Sequence, residues 1–212
     1  MALISALRFG KGHSKKASVS LDNASVFSLE AEVALKEGLK VGQELPTARI
    51  EALKKASSRQ RCYNAAIRFL GYRPRSEQEV RQRLKLNGFK EFIDAVISDL
   101  AGQGLVDDAE FARFWAESRR SFSPRSRYLI ALELKQKGVP VGIIEPALNI
   151  IDDNGSAYRA AQSKSRSLKT ADYQDFRRRL GDFLKRRGFA YGIIIKTIER
   201  LWQERQAEQQ EG

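Results

Sequence analysis

One cysteine and one histidine in 212 residues leave this chain little with which to do covalent or metal chemistry. Cys62 has no partner for an internal disulfide and no cysteine or histidine near it at ligand spacing, so an indifferent thiol is expected. His13 alone cannot build a histidine-rich metal site or a Ser-His-Asp constellation. Long hydrophobic runs are also missing. The most apolar stretch, residues 139–151, is interrupted by Pro140, Glu145 and Pro146 and is too short to cross a bilayer. The first ten residues carry Arg8 and lack an apolar core followed by a cleavage site, which points to a reducing, cytoplasmic setting. Aromatic residues are few, and Phe89, Trp115, Phe183 and Phe189 sit where a core needs them, so stacking of single-stranded bases is not supported.

Two constellations look chemical and are not. Gly10-Lys11-Gly12-His13-Ser14-Lys15 lacks the four-residue spacer of a phosphate loop and precedes a strand rather than a helix. The pairs Asp107-Asp108 and Asp152-Asp153 could hold a catalytic metal, but each stands at the start of a helical stretch, and Asp107 with Glu110 has capping-box spacing. We therefore expect helix caps, no enzyme activity, no metal and no cofactor.

What the chain does have is positive charge and a repeat. Lys and Arg number 38 against 26 Asp and Glu, a formal net charge of +12, which favours a polyanion or a protein that coats one. The pattern Leu-Lys-x-x-Gly-apolar occurs at Leu84 to Phe89, Leu134 to Val139 and Leu184 to Phe189, with its glycines at 88, 138 and 188. Val80, Ile130 and Leu180, and Ile93, Ile143 and Ile193, keep the same offset of fifty, which marks an internal repeat. Each glycine stands where a helix should end in the left-handed conformation, with the following apolar residue packed on the leucine five before it.

The expected fold is mainly α, with three tandem three-helix repeats forming an elongated curved body behind a small N-terminal segment. Repeat one spans 59–107 with helices over 61–70, 76–87 and 91–103. Repeat two spans 108–155 with helices over 108–120, 124–137 and 141–151. Repeat three spans 156–212 with helices over 156–168, 173–187 and 191 to about 206 and a frayed tail. Ser76 with Glu79 forms a capping box after Pro74, Ser123 and Pro124 read as N-cap and first helical residue, and Thr170 or Asp172 caps the third copy. Residues 1–58 read as a β-hairpin from 2–7 and 18–29 with Asp22-Asn23 as turn signal, a mobile basic loop at 11–16, a helix over 30–37 ending at Gly38, and a further helix that starts over 46–56 and leads into the repeats.

Half of the excess charge, +6, lies in residues 156–212. Lys164, Arg166 and Lys169, then Arg177, Arg178 and Arg179, then Lys185, Arg186 and Arg187 are candidate contacts to an anionic partner. A second group is Arg73, Arg75, Arg81 and Arg83, with Arg68 one helix earlier. Solvated helix faces and cations at helix ends are the alternative for both groups.

Arg73-Pro74-Arg75-Ser76, Leu84, Gly88-Phe89, Ile93, Leu100, Gly104-Leu105-Val106-Asp107-Asp108, Phe111-Ala112 and Trp115 together resemble the bacterial RecX regulatory proteins. The similarity continues through Arg119, Pro124, Ile130, Leu134 and Gly138-Val139. Ile4-Ser5-Ala6-Leu7 and Gly38-Leu39-Lys40-Val41-Gly42 resemble the N-terminal extension of many members. Ser123 departs from the glycine usual before Pro124, and the third copy matches loosely. The resemblance implies a non-catalytic modulator of the RecA recombinase in DNA repair and the SOS response. Such a modulator binds RecA and its filament on single-stranded DNA as a monomer and restrains filament growth and ATP hydrolysis, with direct DNA contact as a further expectation. A helix-turn-helix-like protein acting on DNA itself is the competing assignment, although only Trp115 and Trp202 are present for the regularly spaced tryptophans of Myb-like units.

Overall fold

A computed structural model describes residues 2–10, 15–22, 24–168 and 172–210. Most of the expected basic loop with His13, the turn residue Asn23, and Lys169 and Thr170 lie outside these residues. The chain divides into two compact units, Met1–Arg73 with Val80–Val106, and Pro74–Glu79 with Asp107–Gly212.

The first unit opens on strands β1 (Ala2–Phe9), β2 (Lys16–Leu21) and β3 (Val26–Glu30), helix α1 (Ala31–Lys36), a short strand β4 (Glu44–Leu45) and helix α2 (Thr47–Leu70). The expected two-stranded hairpin is instead a four-stranded sheet in the order β3-β2-β1-β4, antiparallel at every junction. A lone hairpin cannot bury enough apolar surface. Here Ile4, Ala17, Val19, Leu29 and Leu45 close on Leu53 of α2 to form a core.

The helix that starts over 46–56 runs without interruption into the first helix of the repeats, one helix of 24 residues. Ser57 and Ser58 resemble a break, but neither glycine nor proline interrupts the run. Ser57 is buried, and its hydroxyl accepts the Glu30 backbone N–H at 2.8 Å. A buried donor is thereby satisfied without unwinding the helix. The second half of α2 contributes Cys62 and Ala66 to another core with Val80 and Leu84 of α3 (Glu77–Leu86) and Val96, Ile97 and Leu100 of α4 (Ile93–Gly102). Burial pushes the Cys62 thiol up to about 11, in keeping with an inert side chain.

The second unit contains α5 (Asp108–Phe122), α6 (Arg127–Gln136), α7 (Val141–Ala147), α8 (Asp153–Ser165), α9 (Tyr173–Arg186) and α10 (Tyr191–Gln210). Phe111, Ile130, Leu134, Ile144 and Leu148 form one core, and Phe176, Leu180, Leu184, Ile198 and Leu201 another. Helix α6 starts at Arg127 and not at Pro124. Its cap is Ser126, whose Oγ accepts the Leu129 N–H at 3.1 Å. Pro124 lies ahead of the helix, where its carbonyl receives Arg187 Nη1 at 2.7 Å and the Ser126 N–H donates to the Arg187 carbonyl at 3.0 Å. The chain from Pro124 to Ser126 is thus held against the end of α9. Asp172 caps α9 through the Asp175 N–H at 2.7 Å.

The repeated glycines have φ of 84°, 79° and 81° at Gly88, Gly138 and Gly188. Phe89, Val139 and Phe189 donate to the carbonyls of Leu84, Leu134 and Leu184 at 3.1, 3.1 and 3.3 Å, and each glycine N–H donates to the residue after that leucine. These are three complete Schellman endings. In the second unit they are also docking points. The Ser76 hydroxyl donates to the carbonyl of Lys137 at 2.7 Å, just before Gly138, while Lys137 Nζ reaches Glu79 at 2.8 Å. One copy later Ser126 reaches the equivalent carbonyl, that of Arg187 just before Gly188, through its backbone N–H instead of its hydroxyl. The start of one middle helix is therefore fastened to the end of the next, so the serine caps serve two helices at once.

Candidate functional site

The paired aspartates do repeated structural work. Asp107 caps α5 by accepting the Ala109 and Glu110 N–H groups at 2.7 and 3.1 Å, and Asp152 caps α8 by accepting those of Asn154 and Gly155. Their neighbours reach further. Asp108 accepts the Glu77 N–H of α3 at 2.9 Å and Asp153 accepts the Arg127 N–H of α6 at 2.7 Å. One aspartate of each pair caps its own helix, and the other caps the middle helix before it. No group of three or more potential metal-binding side chains occurs among the described residues.

Asp108 yields a testable consequence. Its carboxyl is raised above the usual carboxylate range by burial, opposed by the Glu77 backbone hydrogen bond. A raised folded-state pKa means that the folded protein holds the proton more tightly, so this group's contribution falls as pH rises through the carboxylate range. Asp108→Asn keeps an acceptor for Glu77 and sheds the charge, whereas Asp108→Ala leaves the helix start uncapped. We expect about 1–2 kcal/mol lost in the alanine variant by urea denaturation and clearly less in the asparagine variant. The parent should gain on the asparagine variant as pH is lowered. Equal losses in both variants would mean that the cap is not what Asp108 provides.

The first group of candidate cations is largely committed. Arg81 pairs with Asp94 at 2.6 Å and Arg83 lies over the Phe69 ring at 5.7 Å. Arg73 and Arg75 are half-buried and engaged by neighbours. The group is also divided, since Arg75 belongs to the second unit and the other three to the first.

The second group lies wholly in the second unit, and α9 sorts it onto two faces. Arg177, Arg178 and Lys185, at helical spacing, line a groove of about 510 Å³ between α9 and α10. Arg178 is partly occupied by Asp175 at 2.6 Å, which Arg179 also contacts. Arg177, Lys185 and Arg186 are exposed and make no ion pair among the described residues. Lys164 lies on the opposite side of α9 in a cavity of about 360 Å³, with Arg159 and Arg187, the serines Ser121, Ser163 and Ser167, and no carboxylate. Arg166 is exposed just past the end of α8. The sequence had marked Arg187 only as one of a run and had not marked Arg159. Burial, then the neighbouring charges of Arg125 and Arg119, hold the Arg187 guanidinium below its usual range.

Three-helix units closed by Schellman glycines, fastened end to start, with unpaired cations gathered on the last copy, define a basic helical-repeat protein. Residues 62–100 match the model of the RecX first three-helix domain and residues 107–148 that of the second. A regulatory protein RecX from Prosthecochloris aestuarii is 39% identical over 146 residues, covering 68% of this chain and 96% of that protein. One from Clostridium botulinum strain Eklund 17B is 30% identical over 205 residues, covering 94% and 96%. A crystal structure of a regulatory protein RecX superposes with a TM-score of 0.69 at 22% identity, covering 91% of this chain and 97% of that one, and supports the fold. RecX from Lactobacillus salivarius superposes with a TM-score of 0.58 at 25% identity over 69% of this chain and 97% of its own. The chain belongs to the RecX family of regulatory proteins.

Proposed function

We propose that this protein regulates the RecA recombinase by binding RecA and its filament on single-stranded DNA, and that it restrains filament growth and ATP hydrolysis. In this proposal it acts in the cytoplasm, as a monomer and without chemistry of its own. The observation that carries the proposal is the exposed set Arg177, Lys185 and Arg186 on α9, which makes no ion pair among the described residues, in a chain of this family. A filament presents DNA phosphates and protein carboxylates in a regular array, and a row of uncommitted cations gives it several weak contacts at once. The arginines of the first copy are secondary candidates because neighbouring groups already hold most of them.

The test replaces Arg177, Arg178, Lys185 and Arg186 with glutamine and leaves the buried Leu180 and Leu184 alone. Helical circular dichroism should be unchanged. The concentration needed to inhibit RecA filament extension should rise roughly tenfold at low salt, and by less as salt screens the parent's attraction. Inhibition equal to that of the parent across the salt series would remove α9 from the contact.

Action on DNA itself is the second reading, favoured by the cavity around Arg159, Lys164 and Arg187, where cations and serine hydroxyls meet without a carboxylate and Phe122 stands 88% exposed. Tight binding of single-stranded DNA without RecA, lost on Arg159→Gln and Lys164→Gln, would favour it.

A further inference from the structure

Helix α9 carries a glycine in its interior that packing does not require. Gly181 occupies the place held by Arg81 in α3 and Ala131 in α6. A methyl group there would come no closer than 3.7 Å to Ile198 Cδ1, an ordinary contact. Glycine in mid-helix destabilises it relative to alanine, so this glycine keeps a cost that a fitting side chain would remove. What it leaves open is the floor of the groove between α9 and α10.

That groove is chemically two-toned. Phe189, Ile194, Ile195 and Ile198 make an apolar floor, and the Tyr191 ring stands 72% exposed at the mouth. The α9 rim carries Arg177, Arg178 and Lys185 against one carboxylate, Asp182. Its volume of about 510 Å³ lies in the range of preformed ligand clefts. Single-stranded bases would want exposed aromatic platforms, and Phe189 is only 5% exposed, which leaves Tyr191 alone for that task. Greasy floor and cationic rim match a polypeptide that pairs a large apolar side chain with flanking carboxylates.

We infer that the α9–α10 groove, opened by Gly181 and rimmed by Arg177 and Lys185, is a docking site for an acidic peptide segment of a partner protein that inserts an apolar side chain. The inference rests on α9 being the partner surface and names what that surface accepts. The apolar anchor supplies residence, and the cations supply orientation and capture.

The test uses the full chain and a fluorescein-labelled peptide of aspartate and glutamate around a central leucine–phenylalanine pair, read by fluorescence anisotropy. The peptide should bind, and more tightly at low salt. Its counterpart with serine in place of the apolar pair should not bind. Gly181→Leu fills the floor without a bond to break, and Arg177→Gln with Lys185→Gln strips the rim; each should weaken binding about tenfold or more. Gly181→Ala and Gly181→Leu should unfold at no lower urea than the parent, which separates a filled groove from a damaged fold.

No anisotropy change, or equal binding to Gly181→Leu, overturns the inference. So does an oligothymidylate that displaces the peptide and itself needs the open floor, since the occupant is then nucleic acid. Self-association of the parent that Gly181→Leu abolishes would make the occupant a second copy of this chain, with the same result. Peptide binding without any effect of the protein on RecA filaments sinks the regulatory proposal and spares the groove. Filament inhibition that depends on the α9 cations without peptide binding does the reverse.

Discussion

Gly138→Val should lower stability by about 3 kcal/mol, while Gly88→Val should cost about half as much, although the two glycines occupy the same place in their repeats. Both have positive φ, 79° and 84°, and a β-branched residue forced there loses roughly 1–2 kcal/mol. The surroundings differ. A Cβ at Gly88 would meet nothing within 4 Å, whereas one at Gly138 would fall 2.5 Å from Gln78 Cβ and 2.8 Å from its Oε1. That overlap displaces the first turn of α3 from the end of α6 and adds roughly 1–3 kcal/mol. Gly188→Val belongs with Gly138→Val, since its Cβ would fall 2.6 Å from Ser126 Oγ and 2.8 Å from Leu129 Cβ. Urea denaturation of the three variants reads the order directly. Equal losses at Gly88 and Gly138 would show that conformation alone sets the cost and that the helix ends are not docking points.

This difference marks how far the sequence could be read. A glycine with a lysine three residues before it and an apolar residue after it is a local signal. All three helix endings were therefore legible, as were the core leucines five residues upstream. What each ending touches depends on residues about sixty positions away, such as Ser76 with Lys137 and Ser126 with Arg187, and no local pattern encodes that. The same holds for the aspartate pairs. Asp107 reads as a cap from its own helix, but the service of Asp108 to Glu77 crosses 31 residues. The continuity of α2 past Ser57 is a similar case, since the Ser57 hydroxyl satisfies the Glu30 N–H across the fold and no local pattern encodes that.

The site was legible as a quantity of charge and not as a surface. Counting places the excess on the last copy, but only folding shows that Asp94 occupies Arg81 and that Arg177 and Lys185 make no ion pair among the described residues. One signal was available and unread: a mid-helix glycine at 181, where the other copies place Arg81 and Ala131.

Glu133→Ala should cost about 2–4 kcal/mol, the largest loss expected from a single charged side chain here. Glu133 accepts Trp115 Nε1 at 2.7 Å and Arg119 Nε at 2.8 Å, and it is paired with Arg125 as well. Its side chain is 12% exposed and that of Arg119 is 23% exposed, so water cannot replace the lost partner fully. Arg119 also lies 4.5 Å from the Trp115 ring centroid, with Lys137 at 4.3 Å, and Arg187 is close enough to feel Arg119 and Arg125. Removing the carboxylate thus leaves Arg119 and Arg125 crowded together with their counter-charge gone, the situation in which breaking a pair costs more than the pair contributed. Glu133→Gln keeps an acceptor for the indole and should fall between the alanine variant and the parent. Added salt should restore little, because the network is shielded from the ions that screen surface pairs. Recovery of the parent's stability at high salt, or a loss within 0.5 kcal/mol of zero by the usual limit for surface changes, would show that Glu133 is a surface partner and not the centre of the second copy's polar network.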